Sequence, residues 1–150
     1  MSPANAAATL VVIALVLLAA LHFYWGAGGR WPGHDDRSLV DLVVGRTRNM
    51  KAPDSWACLS VTCALLAAAI SVALYSSLVE LPLAPWARLI VQVAFWAASA
   101  VFAARGVAGF VPAIFRYAEG TPFAQLNRRY YSPLCLLIAA GFVAVHFTAG

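Results

Sequence analysis

The chain has 150 residues, 63% of them hydrophobic and 11% charged, with a formal net charge of +4. A soluble domain carries about 25% charged residues, and a chain this short cannot bury so much apolar surface in a core of its own, so a soluble globular domain is excluded and much of the surface must face lipid. The ten Lys and Arg lie almost entirely in segments flanking apolar runs, which speaks for membrane orientation and against nucleic acid as a partner.

The first element runs from Pro3 to Trp25, with no charged residue before Arg30. About 20 apolar residues span a hydrocarbon core. No Lys or Arg precedes the run, and it is longer than the apolar stretch of a secretory signal, so it is expected to persist as a helix. It leaves the bilayer through His22-Phe23-Tyr24-Trp25-Gly26-Ala27-Gly28-Gly29-Arg30-Trp31, where the chain turns abruptly polar. The next segment interleaves Leu39, Val40, Leu42, Val43 and Val44 with Arg37, Asp41, Arg46 and Arg48. That pattern predicts a short amphipathic helix lying on the membrane surface.

The second span is predicted over residues 55–79 and the third over 86–108, joined by a link too short for anything but an antiparallel neighbouring pair. The fourth is predicted over 133–149. Ser2-Pro3, Ala84-Pro85 and Ser132-Pro133 each place proline at or near a first helical position, where its missing N–H costs nothing. Ser2, Ser132, and Asp54 or Ser55, are good N-caps. Between the third and fourth spans, Thr121-Pro122 opens a segment in which Phe123, Leu126 and Tyr130, with Tyr131 beside them, fall near one helical face. Small residues recur every fourth position at Ser60, Ala64 and Ala68, at Ala100, Ala104 and Ala108, and at Ala140, Ala144 and Thr148. Such rows predict close helix contacts in lipid.

The basic residues set the orientation. Arg30, Arg37, Arg46, Arg48 and Lys51 lie in one connection, and Arg105, Arg116, Arg128 and Arg129 in another on the same side; Arg88 alone is opposite. The positive-inside rule makes that side cytoplasmic and puts both termini outside. The expected fold class is therefore all-α: a single-domain bundle of four transmembrane helices, with short amphipathic loop segments, in the inner membrane of a bacterium.

His22 through Gly29, Arg105-Gly106-Val107-Ala108-Gly109-Phe110-Val111-Pro112, and Thr121-Pro122-Phe123-Ala124-Gln125-Leu126-Asn127-Arg128-Arg129-Tyr130-Tyr131-Ser132-Pro133-Leu134-Cys135 together resemble the landmarks of a bacterial family of small four-span integral membrane proteins catalogued as a domain of unknown function. The likeness covers nearly the whole chain, and the third block is the most specific. The resemblance implies a fold and a topology and brings no activity with it. It departs at Asn127, where the resemblance leads to an expected Asp; Asn127 cannot replace an Asp that serves as an acid or a metal ligand.

Ionisable residues inside a membrane are costly and mark function by default. His22, Cys58, Arg105 and Cys135 fall at a similar depth at the cytoplasmic end, one on each span, with Tyr24, Trp25 and Tyr130 close by. The bland reading is that Arg105 reaches out to lipid phosphates, His22 bonds a backbone carbonyl and the cysteines are small core residues. The sharper expectation is a pocket in which His22, Arg105, Tyr130 and Cys135 converge, Gly28 and Gly29 fold the chain back over it, and Trp25 or Trp31 closes it. Arg128 and Arg129 add a headgroup-binding strip. The expected partners are the bilayer and an anionic headgroup or another membrane protein.

The leading functional reading is a non-enzymatic inner-membrane protein, an accessory or interaction subunit or a lipid-associated binding module; the rival is a membrane-embedded enzyme or a redox or metal protein using the same His/Cys/Arg/Tyr cluster. Ligand type would allow a metal on His22, Cys58 and Cys135, although no spacing demands it. The three cysteines are odd in number and lack CxxC spacing. Haem between His22 and His146 is disfavoured by a depth difference of roughly 15 Å at 1.5 Å per residue. No phosphate loop, HExxH or GxSxG motif occurs.

Overall fold

The computed structural model describes residues 3–148, apart from the side chains of Pro3, Ala4 and Arg48; the expected cap at Ser2 and the end of the fourth span at Ala149 lie outside the described residues. Four long helices dominate it. α1 spans Pro3–Gly26, and a short α2, Asp36–Val43, sits in the connection that follows. α3 is Ser55–Tyr75 and α4 is Pro85–Ala108. α5, Pro122–Leu126, passes through a π-helical turn, Asn127–Tyr131, directly into α6, Ser132–Thr148. All four long helices are long and apolar enough to cross a membrane, the last as one run over Pro122–Thr148. No strand occurs among the described residues. The protein is an all-α, polytopic four-helix bundle.

α1 packs on α3 and α6, and α4 packs on the same two helices from the other side. The axis is filled by one fully buried side chain from each: Leu15, Val72, Phe95 and Phe142. Phe95 meets Phe142 edge-on at 5.0 Å between ring centroids. Lipid is as apolar as these side chains, so close packing, and not escape from water, holds the bundle together. Leu10, Leu17, Ile70, Leu89 and Leu137 point outward, as helices apolar on every face require when they are surrounded by lipid.

The predicted starts of α3 and α4 appear where the chemistry places them, and α2 carries a cap at Asp35 that the sequence reading did not name. Asp54 accepts the Ala57 N–H at 2.7 Å, and Pro85 opens α4. Asp35 caps α2 by accepting the Ser38 N–H at 2.7 Å, and the Ser38 hydroxyl accepts the Asp35 N–H in return. These Ser38 bonds hold the Asp35 carboxyl below the usual carboxylate range. α2 buries Leu39 and Val40.

Four expectations change. α3 stops at Tyr75, short of Val79, because the Ser76 hydroxyl bonds the Val72 carbonyl and Ser77 turns left-handed at φ 57. Ser132-Pro133 does not open a helix. Pro133 has no N–H for the Arg129 carbonyl and its ring would crowd it, so the Ser132 N–H reaches back to Asn127 O and the helix widens by one residue instead of breaking. That extra residue rotates the amphipathic face: Tyr131, and not Tyr130, lies against buried Phe123, with ring centroids 6.0 Å apart. Finally, most of the small-residue rows face outward, with Ala64, Ala100, Ala104, Ala140 and Ala144 all exposed. The close approaches between helices are made at Gly106, against Leu136, and at Gly141, against Val11.

Candidate functional site

The two basic connections meet at one end of the bundle, tied to each other by backbone acceptors. Arg46 donates to the Glu119 carbonyl at 3.2 Å, Tyr117 to that of Val44 at 3.3 Å, and Tyr131 to that of Leu42 at 3.1 Å. Under them lies Arg105, in the last turn of α4, where the helix dipole favours a cation. Its Nη2 donates to Asn127 Oδ1 at 2.8 Å, and its guanidinium lies over the Phe115 ring at 5.0 Å. Arginine only donates, so the Asn127 atom that faces it is the oxygen. The Ser132 hydroxyl donates to that same oxygen at 3.2 Å, and Asn127 Nδ2 donates to the Gly109 carbonyl at 3.3 Å. Asn127 and Ser132 are buried, at 1% and 0% exposed.

The node depends on Gly109. A Cβ there would sit 1.6 Å from Ser132 Oγ and 3.1 Å from Asn127 Nδ2. Only a residue without a side chain lets the end of α4 approach the π-helical turn this closely. The turn has its own part, because it brings the Ser132 hydroxyl onto Asn127 Oδ1 across five residues. Such turns are frequent at functional sites.

One atom is left over. Arg105 Nη1 is shielded from solvent and has no hydrogen-bond partner. No carboxylate pairs with Arg105 among the described residues, where the ion pairs are Arg30–Asp36 and His34–Asp35. Beside the node a cleft of about 360 Å³ is lined by Gly109, Phe115, Arg116, Glu119, Asn127 and Arg128.

Of the residues singled out in the sequence, Arg105 and Arg128 gather here, and Cys135, half-buried on α6, lies within range of the Arg105 charge. The others have different surroundings. His22 Nδ1 bonds the Leu18 carbonyl at 2.8 Å, and its ring meets Trp25 at 5.1 Å. His22, Trp25 and Cys58 line a separate, mainly apolar cleft of about 190 Å³ with α2. Trp25 Nε1 donates to the Trp31 carbonyl at 2.7 Å, which ties the chain back after α1. Gly28 makes that reversal at φ +98, and Gly29 lies under the Tyr24 ring. Arg30 donates to the carbonyls of Gly28 and Gly29 and pairs with Asp36. Tyr130 is exposed beneath Arg129, whose guanidinium is 5.5 Å from its ring. Among the described residues no three His, Cys, Asp or Glu side chains group as a metal-ligand set.

A family model described as "Protein of unknown function (DUF3995)" matches residues 15–142. The chain belongs to the DUF3995 family. No curated protein and no solved structure matches it. The matched region of this DUF3995 chain includes Arg105, Gly109, Asn127 and Ser132. Sequence reasoning named Arg105 and missed the node beside it, in which Asn127 bonds Arg105 and is itself held by Gly109 and Ser132. Asn127 stood out only as a departure from an expected Asp, and Gly109 only as part of a glycine-bearing block.

Proposed function

We propose that this chain is a non-enzymatic, lipid-associated binding protein of the bacterial inner membrane, whose basic end takes the phosphate of an anionic headgroup. The reading rests on Arg105 Nη1, a shielded cationic donor without an acceptor. Arg105 as a whole is half-buried, but a donor atom shielded from water and left without an acceptor costs about 1–3 kcal/mol, more for a charged group. The Asn127 oxygen and the Phe115 ring supply partial compensation and no countercharge. A phosphate oxygen supplies both the charge and the acceptor. Arg116 and Arg128 at the adjoining cleft add to the attraction, and Glu119 in the same lining offsets part of it.

Native mass spectrometry of protein extracted with its lipids tests this. Arg105→Gln is expected to lose co-purifying anionic lipid, with at least tenfold weaker retention. Arg88→Gln, at the other end of the bundle, should retain it. Equal retention by wild type and Arg105→Gln would overturn the proposal.

The same reading places the basic end in the cytoplasm and both termini outside. In a variant without native cysteines, His34→Cys and Glu119→Cys, both at exposed positions, should resist a membrane-impermeant maleimide in intact cells. Leu81→Cys, exposed in the connection between α3 and α4, should react. The reverse pattern would invert the topology.

A further inference from the structure

The opposite end of the bundle carries a cavity of about 780 Å³, walled by the 76–84 connection, the start of α4 and the end of α6. Its polar lining comes from Tyr75, Ser77, Glu80, Arg88, Gln92 and His146. The floor is fixed. Tyr75 stacks on buried Phe95 at 4.0 Å with rings 11° from parallel, and its hydroxyl bonds His146 Nδ1 at 2.8 Å. The His146 ring in turn meets Trp96 edge-on at 5.0 Å. One ring nitrogen of His146 is thus occupied and Nε2 is left for another partner.

Above this floor the charges are separated. Glu80 and Arg88 line the same cavity, yet neither has an ion-pair partner among the described residues. Arg88 Nε is anchored to the Leu83 carbonyl at 3.2 Å, which holds the guanidinium in place. Arg88 also sits early in α4, near the helix N-terminus, where the dipole disfavours a cation and favours an anion beside it. A carboxylate and a guanidinium that share a cavity without neutralising each other suit a ligand bearing both complementary charges. Gln92 and His146 add hydrogen-bonding groups to the same lining, and Leu81 gives an apolar wall.

We infer that this cavity is a second binding site, independent of the Arg105 node, for a zwitterion with an ammonium group for Glu80 and a phosphate for Arg88. A phosphoethanolamine moiety has this chemistry, whether as the headgroup of a bilayer lipid or as a water-soluble phosphodiester. A phosphocholine moiety lacks N–H donors for Glu80, and a phosphoglycerol moiety lacks the cation.

The test is titration of purified, histidine-labelled protein in detergent micelles with sn-glycero-3-phosphoethanolamine, followed through the His146 ring resonances, with thermal unfolding of each variant measured alongside. The same resonances are compared in nanodiscs of phosphatidylethanolamine and of phosphatidylcholine. A saturable shift of His146, with His22 and His34 unmoved, is expected. Glu80→Gln and Arg88→Gln should each raise the half-saturation at least tenfold while leaving the unfolding temperature unchanged, both residues being exposed. A shift with the soluble phosphodiester identifies a free ligand; a shift only in phosphatidylethanolamine nanodiscs identifies the lipid; both support the site. No His146 shift in either setting, or curves that neither substitution changes, would overturn it. Arg88→Gln should lose this zwitterion while keeping anionic lipid, and Arg105→Gln should do the opposite, so failure at one end leaves the other standing.

Discussion

Gly109→Ala is expected to cause a large loss of stability, its added methyl making the closest contact of any at the described glycines. The added Cβ falls 1.6 Å from Ser132 Oγ and 2.7 Å from Ser132 Cβ. Neither atom is the end of a long, flexible side chain, and Ser132 is fully buried. α4 must therefore move away from the π-helical turn. Overpacking of this kind costs about 1–3 kcal/mol and occasionally more, and the separation also breaks the Asn127 bond to the Gly109 carbonyl. For a chain of this length each kcal/mol lowers the unfolding temperature by about 2–4 °C, so thermal unfolding in detergent should show a fall of roughly 2–12 °C. Ser132→Ala removes the nearest clashing atom and leaves the Cβ contact. The double variant Gly109→Ala/Ser132→Ala should accordingly recover part of the loss, a coupling that two independent sites would not show. Additive losses in the double variant would mean that the two positions are not in contact.

The membrane architecture was legible because lipid imposes length and polarity on each span, and both are written locally. The cap at Asp54 and the opening proline of α4 are equally local. What sequence reading missed depends on contacts between spans. Ser132-Pro133 reads the same whether it opens a helix or widens one, and only the helical continuation back to Pro122 decides. The consequence reached further than the boundary: one extra residue in the turn exchanged Tyr130 for Tyr131 on the inward face. The alanine rows misled for a related reason. Alanine is tolerated on any face of a helix in lipid, so its spacing alone does not say which face packs, whereas the glycines at 106 and 141 mark actual close approaches. The cavity at the other end was hidden by reading the 80–85 connection as a bare link and His146 only as a distant partner for His22. Nothing in the sequence places Tyr75 beside His146, since they lie 71 residues apart.

Asn127→Asp should separate binding at the basic end from folding. In the native chain Arg105 faces a neutral amide oxygen at 2.8 Å and keeps an unpaired Nη1. An aspartate of nearly the same shape places a carboxylate at that oxygen and gives Arg105 an internal countercharge. The exchange forfeits the donor to the Gly109 carbonyl, a 3.3 Å bond of modest strength. The charge gain is the larger effect, so stability in neutral detergent should rise. The anion-binding capacity should fall, because the guanidinium no longer needs an external partner. Ligand at 100 times its dissociation constant stabilises the folded protein by about 2.7 kcal/mol, so phosphatidylglycerol should raise the unfolding temperature of wild type by several degrees. It should leave that of Asn127→Asp almost unchanged. Asn127→Ala removes the internal acceptor altogether, and should be destabilised in neutral detergent and more dependent on anionic lipid than wild type. The order of lipid dependence is thus Asn127→Ala, then wild type, then Asn127→Asp. The same phosphatidylglycerol response in all three proteins would show that Arg105 does not meet the headgroup.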